Sequence, residues 1–176
     1  MKTNRTAYFI FGILSVCLIS CNSKNPGKYE ADGFTFSLPQ GWIITEEEVV
    51  EGEAMFLTCE RDVEGSSGLF ILNIIYEEED LKAEMSRYIE NLQFNPVYRA
   101  ASAKFGPIRE IYFKGISALE ATYQMLPGNE THEGRVVGFV CNGNIITLLF
   151  QQSVSEKNEN RNGFKLIENS VSCRDK

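Results

Sequence analysis

One hairpin near the end of the chain constrains the fold more than any other part of the sequence. The dipeptide Asn142-Gly143 is typical of a two-residue β-turn, and it joins strands predicted over residues 135–141 and 144–152. From Ile145 to Phe150 the second strand is apolar at every position except Thr147. Because successive side chains of a strand point to opposite faces, we expect this strand to lie at the centre of a sheet, covered on both sides.

Two helices are predicted from apolar residues that are spaced to share one helical face. The first covers residues 81–94, with Asp80 as its N-cap and Pro96 as the residue that stops it. Its inner face holds Leu81, Met85, Tyr88, Ile89 and Leu92. The second covers about 156–172, with Ser155 as its cap, and its inner face holds Phe164, Ile167 and Val171.

Further strands are predicted where short runs of β-branched and aromatic residues are bounded by turn residues. These runs cover residues 34–38, 42–44, 54–60, 68–76, 105–113 and 116–126. The first run alternates between apolar and polar residues, which indicates a half-buried strand. In the last run one face holds Leu119, Ala121, Tyr123 and Met125. We therefore expect residues 30–176 to form a single α+β domain.

The N-terminus has the pattern of an export signal. Lys2 and Arg5 precede an uncharged run of 14 residues, which fits a signal peptide and falls short of the ~20 residues of a spanning helix. The run ends in Leu18-Ile19-Ser20-Cys21, which resembles the bacterial lipobox. The resemblance implies that Cys21 carries diacylglycerol, with acyl chains such as palmitate, and that residues 1–20 are removed. An ordinary apolar segment and an uncleaved membrane anchor are the alternatives.

Processing before Cys21 would leave a more acidic chain. Removing residues 1–20, which contain two basic residues and no acidic one, leaves 156 residues and changes the formal net charge from −7 to −9. Residues 21–29 then form a lipidated, flexible tether, and export places the domain in the cell envelope, where disulfides form. Asn22 and the absence of an early acidic run favour an outer-membrane anchor facing the periplasm. Such a domain is not expected to bind nucleic acid.

Three segments of the sequence carry a family resemblance. They are G-F-T-F-S-L-P-Q-G-W at residues 33–42, F-K-G-I-S-A-L-E at 113–120 and F-K-L-I-E-N-S-V at 164–171. The first resembles the opening pattern F-x-F-x-x-P-x-G-W of PsbP-like domains, and the other two are similar to later elements of those domains. This superfamily includes the PsbP subunit of photosystem II, the Ran-binding Mog proteins and DcrB-type envelope proteins. The resemblance implies an antiparallel sheet of six or more strands with helices on both faces. It implies no reaction, because these domains serve mostly as binding and assembly modules.

The sequence has few features of an enzyme. His132, the single His, lies in a polar loop predicted over 127–134, and any Ser–His or Cys–His system would have to use it. Its polar neighbours predict an exposed loop residue instead. The sequence has no Gly-rich phosphate loop after a strand and no calcium-loop pattern. We therefore expect no catalytic residue, cofactor or metal site. We expect Trp42 to fill the core, with sugar stacking as the alternative.

Acidic residues cluster in two segments near the ends of predicted strands. The clusters contain Glu46, Glu47, Glu48 and Glu51, and then Glu77, Glu78, Glu79 and Asp80. The plain interpretation is that these residues form solvated turns, which keep an anchored protein soluble. The alternative is a docking surface for a basic partner or for divalent cations. Binding through such a surface would weaken as the salt concentration rises.

After processing, Cys59, Cys141 and Cys173 remain, enough for one intramolecular disulfide. Cys141 precedes the hairpin turn, and the next strand leaves that turn by roughly 26 Å at ~3.3 Å per residue. The last helix returns by roughly 26 Å at ~1.5 Å per residue, which brings Cys173 back to the level of Cys141. We predict a Cys141–Cys173 disulfide and a buried free Cys59, with three unpaired thiols as the alternative.

Together these patterns favour a non-catalytic protein that is held at a membrane by its N-terminal lipid and binds another envelope component, expected to be a protein of unknown identity. The alternative is a carrier of an apolar or lipid ligand in a pocket between sheet and helix. It is suggested by aromatic residues in the strands, namely Phe70, Phe113, Tyr123 and Phe150. An enclosed apolar cavity of ~300 Å³ or more would favour the carrier. An enzyme would need a cleft that joins His132 to two carboxylates.

Overall fold

The computed structural model describes residues 27–76 and 80–173. The predicted signal peptide over residues 1–20, Cys21 with most of the tether, and the acidic residues Glu77–Glu79 lie outside this part of the chain. None of the helices in the described ranges is both long enough and apolar enough to cross a membrane.

The described chain contains short and long strands and three helices. In chain order they are β1 (Tyr29–Ala31), β2 (Phe34–Phe36), β3 (Trp42–Val50), β4 (Ala54–Arg61), β5 (Leu69–Ile75), α1 (Leu81–Phe94), α2 (Pro96–Ala100), β6 (Lys104–Phe105), β7 (Arg109–Phe113), β8 (Ile116–Met125), β9 (His132–Cys141), β10 (Asn144–Ser153), α3 (Lys157–Ser170) and β11 (Ser172–Cys173). The main sheet has eight strands in the order β3-β4-β5-β10-β9-β8-β6, and β7 also pairs with β8. All of these pairs are antiparallel.

Strand β10 lies between β5 and β9 and is buried on both faces, as its apolar sequence predicts. Ile146, Leu148 and Phe150 belong to the core cluster on one face, and Leu149 belongs to the cluster on the other. The preceding turn holds Asn142 at φ +54° and Gly143 at φ +81°. Both values lie in the left-handed region that a type I′ hairpin turn requires. The predicted hairpin and central strand are confirmed.

Different layers cover the two faces of the main sheet. On one face, α1 and α2 place Met85, Ile89 and Tyr98 against the strands. On the other face, α3 and a small sheet of order β1-β2-β11 bury a larger cluster. That cluster includes Phe34, Phe36, Phe164 and Ile167. The predicted α+β sandwich, with an antiparallel sheet between helices on both faces, is confirmed.

Trp42 fills the core under α3, as predicted. Its side chain is 6% exposed, and its ring meets the Phe164 ring edge-on with centroids 5.3 Å apart. A Cβ atom at Gly163 would lie 2.7 Å from Trp42 Nε1, so the helix approaches this closely because residue 163 has no side chain. An indole this buried has no free face on which a sugar could stack.

A disulfide joins Cys141, at the end of β9, to Cys173 in β11, and their Cα atoms are 5.7 Å apart. This separation lies within the usual limit of about 7 Å. The bridge holds the chain that follows α3 beside the β9–β10 hairpin. Cys59 on β4 is a free thiol buried in the core, and burial raises its pKa to about 12.

Three predicted elements differ clearly in extent from the structure. The strand predicted over 42–44 continues to Val50 as β3, so Glu46–Glu48 lie in a strand rather than in a solvated turn. The strand predicted over 105–113 divides into β6 and β7, and the strand predicted over 34–38 ends at Phe36. The latter strand, β2, is buried at every position rather than half-buried, because it pairs with β1 and β11 beneath α3. Helix α1 ends before Pro96 as predicted, but Pro96 also begins α2, a helix that was not predicted from the sequence. A Pro suits the first turn of a helix, where its missing N–H has no helical partner.

Two local predictions near α3 were wrong. Ser155 is not the cap of this helix, because Glu156 holds the N-cap position and makes no side-chain cap bond. The hydroxyl of Ser155 donates to the Glu130 carboxylate instead. His132 is not an exposed loop residue, since it begins β9 and its side chain is 14% exposed.

We expect the disulfide to stabilise the fold by about 3 kcal/mol, because it closes a loop between residues 32 positions apart and so restricts the unfolded chain. Urea unfolding of the oxidised chain and of the double variant Cys141→Ser/Cys173→Ser measures this difference. A reductant should destabilise the wild type and leave the double variant unchanged. Equal wild-type midpoints with and without reductant would contradict the prediction.

Candidate functional site

A groove of about 620 Å³ lies between α3 and the neighbouring face of the main sheet. Strands β6, β8, β9 and β10 supply its floor, and Phe164 and Glu168 on α3 form its wall. It has about twice the volume of a second cavity, which lies beneath α1 on the opposite face. A groove built on adjacent strands has a rigid floor, which suits the positioning of binding groups.

Strand register places four polar side chains of the groove in one line, which we call the polar row. Lys104 on β6 lies opposite Gln124 on β8. Glu133 on β9 lies opposite Gln124 on one side and Gln152 of β10 on the other. Because neighbouring strands are ~4.8 Å apart, the row is roughly 14 Å long. Its order is cation, amide, carboxylate and amide.

Arg135 ties the floor of the groove to its wall. It lies between Thr122 and Phe150 in the strand register, and its guanidinium carbon is 5.3 Å from the centroid of the Phe150 ring. This distance is typical of a cation–π contact. Arg135 also forms ion pairs with Glu120, at 3.3 Å, and with Glu168 on α3. These contacts occupy the guanidinium within the protein.

Glu133 is held as a carboxylate by two neighbours. Lys157 Nζ lies 2.9 Å and 3.1 Å from its two oxygens, and Gln152 Nε2 donates to it at 2.9 Å. Partial burial acts to raise the pKa of Glu133, but the hydrogen bonds from Lys157 and Gln152 outweigh it and lower the pKa below its usual value. A general acid needs a raised pKa, so Glu133 does not suit that role.

Two groups of the polar row keep bonding capacity for a ligand. Gln152 is 8% exposed, and its carbonyl oxygen Oε1 has no hydrogen-bond partner in the described part of the chain. Since Gln152 Nε2 faces the Glu133 carboxylate, the orientation of the amide is set. Lys104 is exposed and makes no ion pair with a described residue. The groove therefore has a buried, unpartnered acceptor at one end and an exposed cation at the other.

The second cavity, which we call the α1 crevice, has a volume of about 330 Å³ and lies between α1 and strands β4, β5 and β10. Apolar walls are formed by Phe56, Ile75 and Leu92, and a polar floor by Asn73 and Thr147. It exceeds the ~300 Å³ that would favour a carrier, but it is partly open to solvent and its lining is mixed. The aromatic residues that suggested a carrier do not line it, namely Phe70, Phe113, Tyr123 and Phe150.

Those residues of the predicted acidic surface that the structure describes lie on an edge strand, in the turn after it and at a helix start, and they line neither cavity. Glu46–Glu48 are exposed on β3, at one edge of the main sheet, and Glu51 lies in the turn that follows. Asp80 is the N-cap of α1, as predicted, where its Oδ1 accepts from the Lys82 N–H at 3.3 Å. Charged side chains on an edge strand hinder pairing with another chain, a role that needs no ligand.

His132 lies beside a carboxylate in an arrangement that differs from a catalytic triad. Its Nε2 is 3.9 Å from Glu130 Oε2. The hydroxyls of Ser153 and Ser155 donate to Glu130 rather than to the imidazole, and these bonds lower the pKa of Glu130. A nucleophile would need its hydroxyl paired with the imidazole. Within residues 27–76 and 80–173, no three His, Cys, Asp or Glu side chains form a group suited to a metal ion.

The fold is similar to that of three solved proteins. Cyanobacterial PsbP (CyanoP) from Synechocystis covers 89% of this chain and 99% of its own, at 14% identity and a TM-score of 0.60. The match to a protein of Bacteroides thetaiotaomicron covers 85% of this chain and 49% of the other, at 10% identity and a TM-score of 0.54. The match to LpqN of Mycobacterium tuberculosis, which is involved in cell envelope biogenesis, covers 85% of this chain and 86% of LpqN. Its identity is 11% and its TM-score is 0.50. No protein-family model and no curated protein matches the sequence.

At 14% identity and below, these similarities establish the fold alone. The described chain has a PsbP-like α+β fold, which the segments at residues 33–42, 113–120 and 164–171 had indicated. A shared fold does not carry over a partner or a ligand, so function has to be argued from the groove and the N-terminus.

We expect Glu133→Gln to lower the free energy of unfolding by about 1 kcal/mol near neutral pH, because it removes the ion pair with Lys157. Folding lowers the pKa of Glu133, so its ionised form stabilises the fold above its unfolded pKa and loses that contribution as the pH falls. Urea unfolding at about pH 7 and about pH 3 should show a difference that shrinks in acid. The exposed Glu48→Gln is the matched control, and an equal Glu133→Gln effect at both pH values would contradict the prediction.

Proposed function

We propose that this chain is a lipid-anchored envelope protein that acts without catalysis, by binding a partner protein in the groove beside α3. The observation that carries the proposal is the polar row. Its carboxylate is already ion-paired with Lys157, while the buried Gln152 carbonyl has no hydrogen-bond partner among the described residues and the Lys104 ammonium is exposed. A peptide segment supplies the N–H donors and carbonyl or carboxylate acceptors that these two groups need.

The anchor part of the proposal rests on the lipobox-like Leu18-Ile19-Ser20-Cys21 sequence. Strand β1 begins at Tyr29, eight residues after Cys21, so an extended tether would reach roughly 27 Å at ~3.4 Å per residue. A lipid on Cys21 would therefore keep the domain near the membrane surface and raise its effective concentration for partners there. The periplasm-facing outer-membrane location belongs to this proposal.

The proteins of similar fold support a role in the cell envelope but give no partner. LpqN, which shares the fold at 11% identity, is involved in cell envelope biogenesis. The N-terminus of this chain has the pattern of an export signal, which supports a place in the envelope. The residues that line the groove include no paired nucleophile and base of an acyl-transfer enzyme, which supports a binding role.

The acidic surface gives an alternative docking site. Tyr76 N–H donates to the Glu53 carbonyl at 2.9 Å, so the turn after β3 and the end of β5 lie at the same end of the sheet. A basic partner could contact the acidic side chains of β3 and of that turn. Because exposed charges are screened, that interaction would weaken strongly with salt, whereas binding in the partly buried groove would weaken less.

Photo-crosslinking of the anchored chain in its own envelope tests the groove. A benzophenone amino acid at Gln124, on the groove floor, should give a discrete adduct, and Lys104→Glu should reduce its yield at least about fivefold, because it reverses the free charge of the polar row. The matched control is the same probe at Tyr112, which is 84% exposed on β7 and distant in register from the polar row.

Equal adducts from Gln124 and Tyr112, or an adduct unaffected by Lys104→Glu, would contradict binding in the groove. An adduct obtained only from a probe at Glu48 and lost at high salt would favour the acidic surface. The intact mass of the same preparation tests the anchor. A chain that begins at Cys21 and carries acyl groups supports it, and a chain that retains residues 1–20 contradicts it.

A further inference from the structure

The α1 crevice exists because α1 approaches the sheet at one side and stands away from it at the other. Strand register puts Gly138, Thr147, Asn73 and Phe56 in one line across β9, β10, β5 and β4. A Cβ atom at Gly138 would lie 2.5 Å from Met85 Sδ, so the helix is in tight contact at that end of the line. The other three positions line the crevice.

The floor of the crevice is polar in strands that are otherwise apolar. Asn73 is the one polar residue of β5, and it lies directly opposite Thr147, the one polar residue between Ile145 and Phe150. They are 5% and 1% exposed. Burying such groups is unfavourable unless they are hydrogen-bonded. Asn73 lines the crevice beside Tyr88, and its side-chain amide has both donor and acceptor capacity.

The charges around the crevice limit the kind of molecule that fits. Glu84 is 6% exposed on its rim and forms an ion pair with Arg87, so its carboxylate is compensated. An anionic head group would lie near the Glu84 carboxylate. A charged group of either sign would also lose its hydration over an uncharged floor, which is unfavourable, so an uncharged head group fits best. Walls from Phe56, Ile75 and Leu92 accept an apolar body.

We propose that the α1 crevice is a binding site for a small uncharged amphipathic molecule, with one hydrogen-bonding head on Asn73 and Thr147 and an apolar body against Phe56, Ile75 and Leu92. A site of about 330 Å³ is at the small end of the range for ligand pockets. The inference gives a ligand class to the alternative of an apolar-ligand carrier and rests on that alternative. It does not depend on the groove, which lies on the opposite face.

Binding of 1-hexanol to the full chain in lipid nanodiscs tests the proposal, with the methyl signals of Ile75 and Leu92 as the NMR readout. We expect saturable shifts, and Thr147→Val should weaken binding about fivefold, because it keeps the shape and removes one hydrogen bond. Thr58→Val, on β4 and outside the crevice, is the matched control and should bind as the wild type does. The alcohol partitions into the lipid equally for each variant, so this partition does not affect the ratio of hexanol affinities between variant and wild type.

Hexanoate should bind at least about tenfold more weakly than hexanol, because its head is charged. Three results would each overturn the proposal. They are the absence of saturable shifts at Ile75 and Leu92, equal hexanol affinity of the wild type and Thr147→Val, and equal affinity of the wild type for hexanoate and hexanol. If Thr147→Val does not fold, Leu92→Trp provides the test, because it fills the crevice from the helix side and should abolish the shifts at Ile75. Crosslinking in the groove is unaffected by any of these outcomes.

Discussion

The requirement of strand β10 for apolar cover on both faces determines the rest of the fold. Its side chains enter two separate core clusters, one beneath α1 and α2 and one beneath α3 and the small sheet. Burial of this strand on both faces contributes roughly 25 cal/mol for each Å² of apolar surface removed from water. Neither helical layer can leave without exposing β10, so the sheet is a rigid platform between them.

Both cavities lie where a helical layer stops covering the sheet. On the α3 face, the apolar floor ends near Phe150. Past it the floor is formed by polar side chains, namely Arg135, Gln124 and Lys104. On the α1 face, the helix is seated at Gly138 and stands away over Asn73. The platform thus presents two sites of different character, a larger groove with a row of polar side chains and a smaller crevice with apolar walls over a polar floor.

Elements with a strong local signal were predictable from the sequence. The Asn142-Gly143 hairpin, the apolar run of β10 and the capped helix α1 all follow from residues that are neighbours in the chain. Cys141 and Cys173 could be related because one strand and one helix of known rise connect them. The signal for α2 was missed because Pro96 reads equally as the end of one helix or the start of another.

The groove could not be predicted, because its residues are brought together by register across strands. Lys104, Gln124, Glu133 and Gln152 come from four strands, and each alone reads as a solvent-facing position of an amphipathic strand. Only the pairing of β6 with β8, and of β9 with β10, shows that they share one line. The orphaned carbonyl of Gln152 depends on where Glu133 points, which no sequence pattern encodes.

The central claim is that a partner occupies the groove while the chain is anchored. Hydrogen–deuterium exchange of the chain in its own envelope, compared with the purified chain, tests it most directly. We expect added protection over residues 104–106 and 122–124 in the envelope, with no change along the acidic edge strand β3. Identical exchange in the two preparations, or added protection confined to β3, would contradict it.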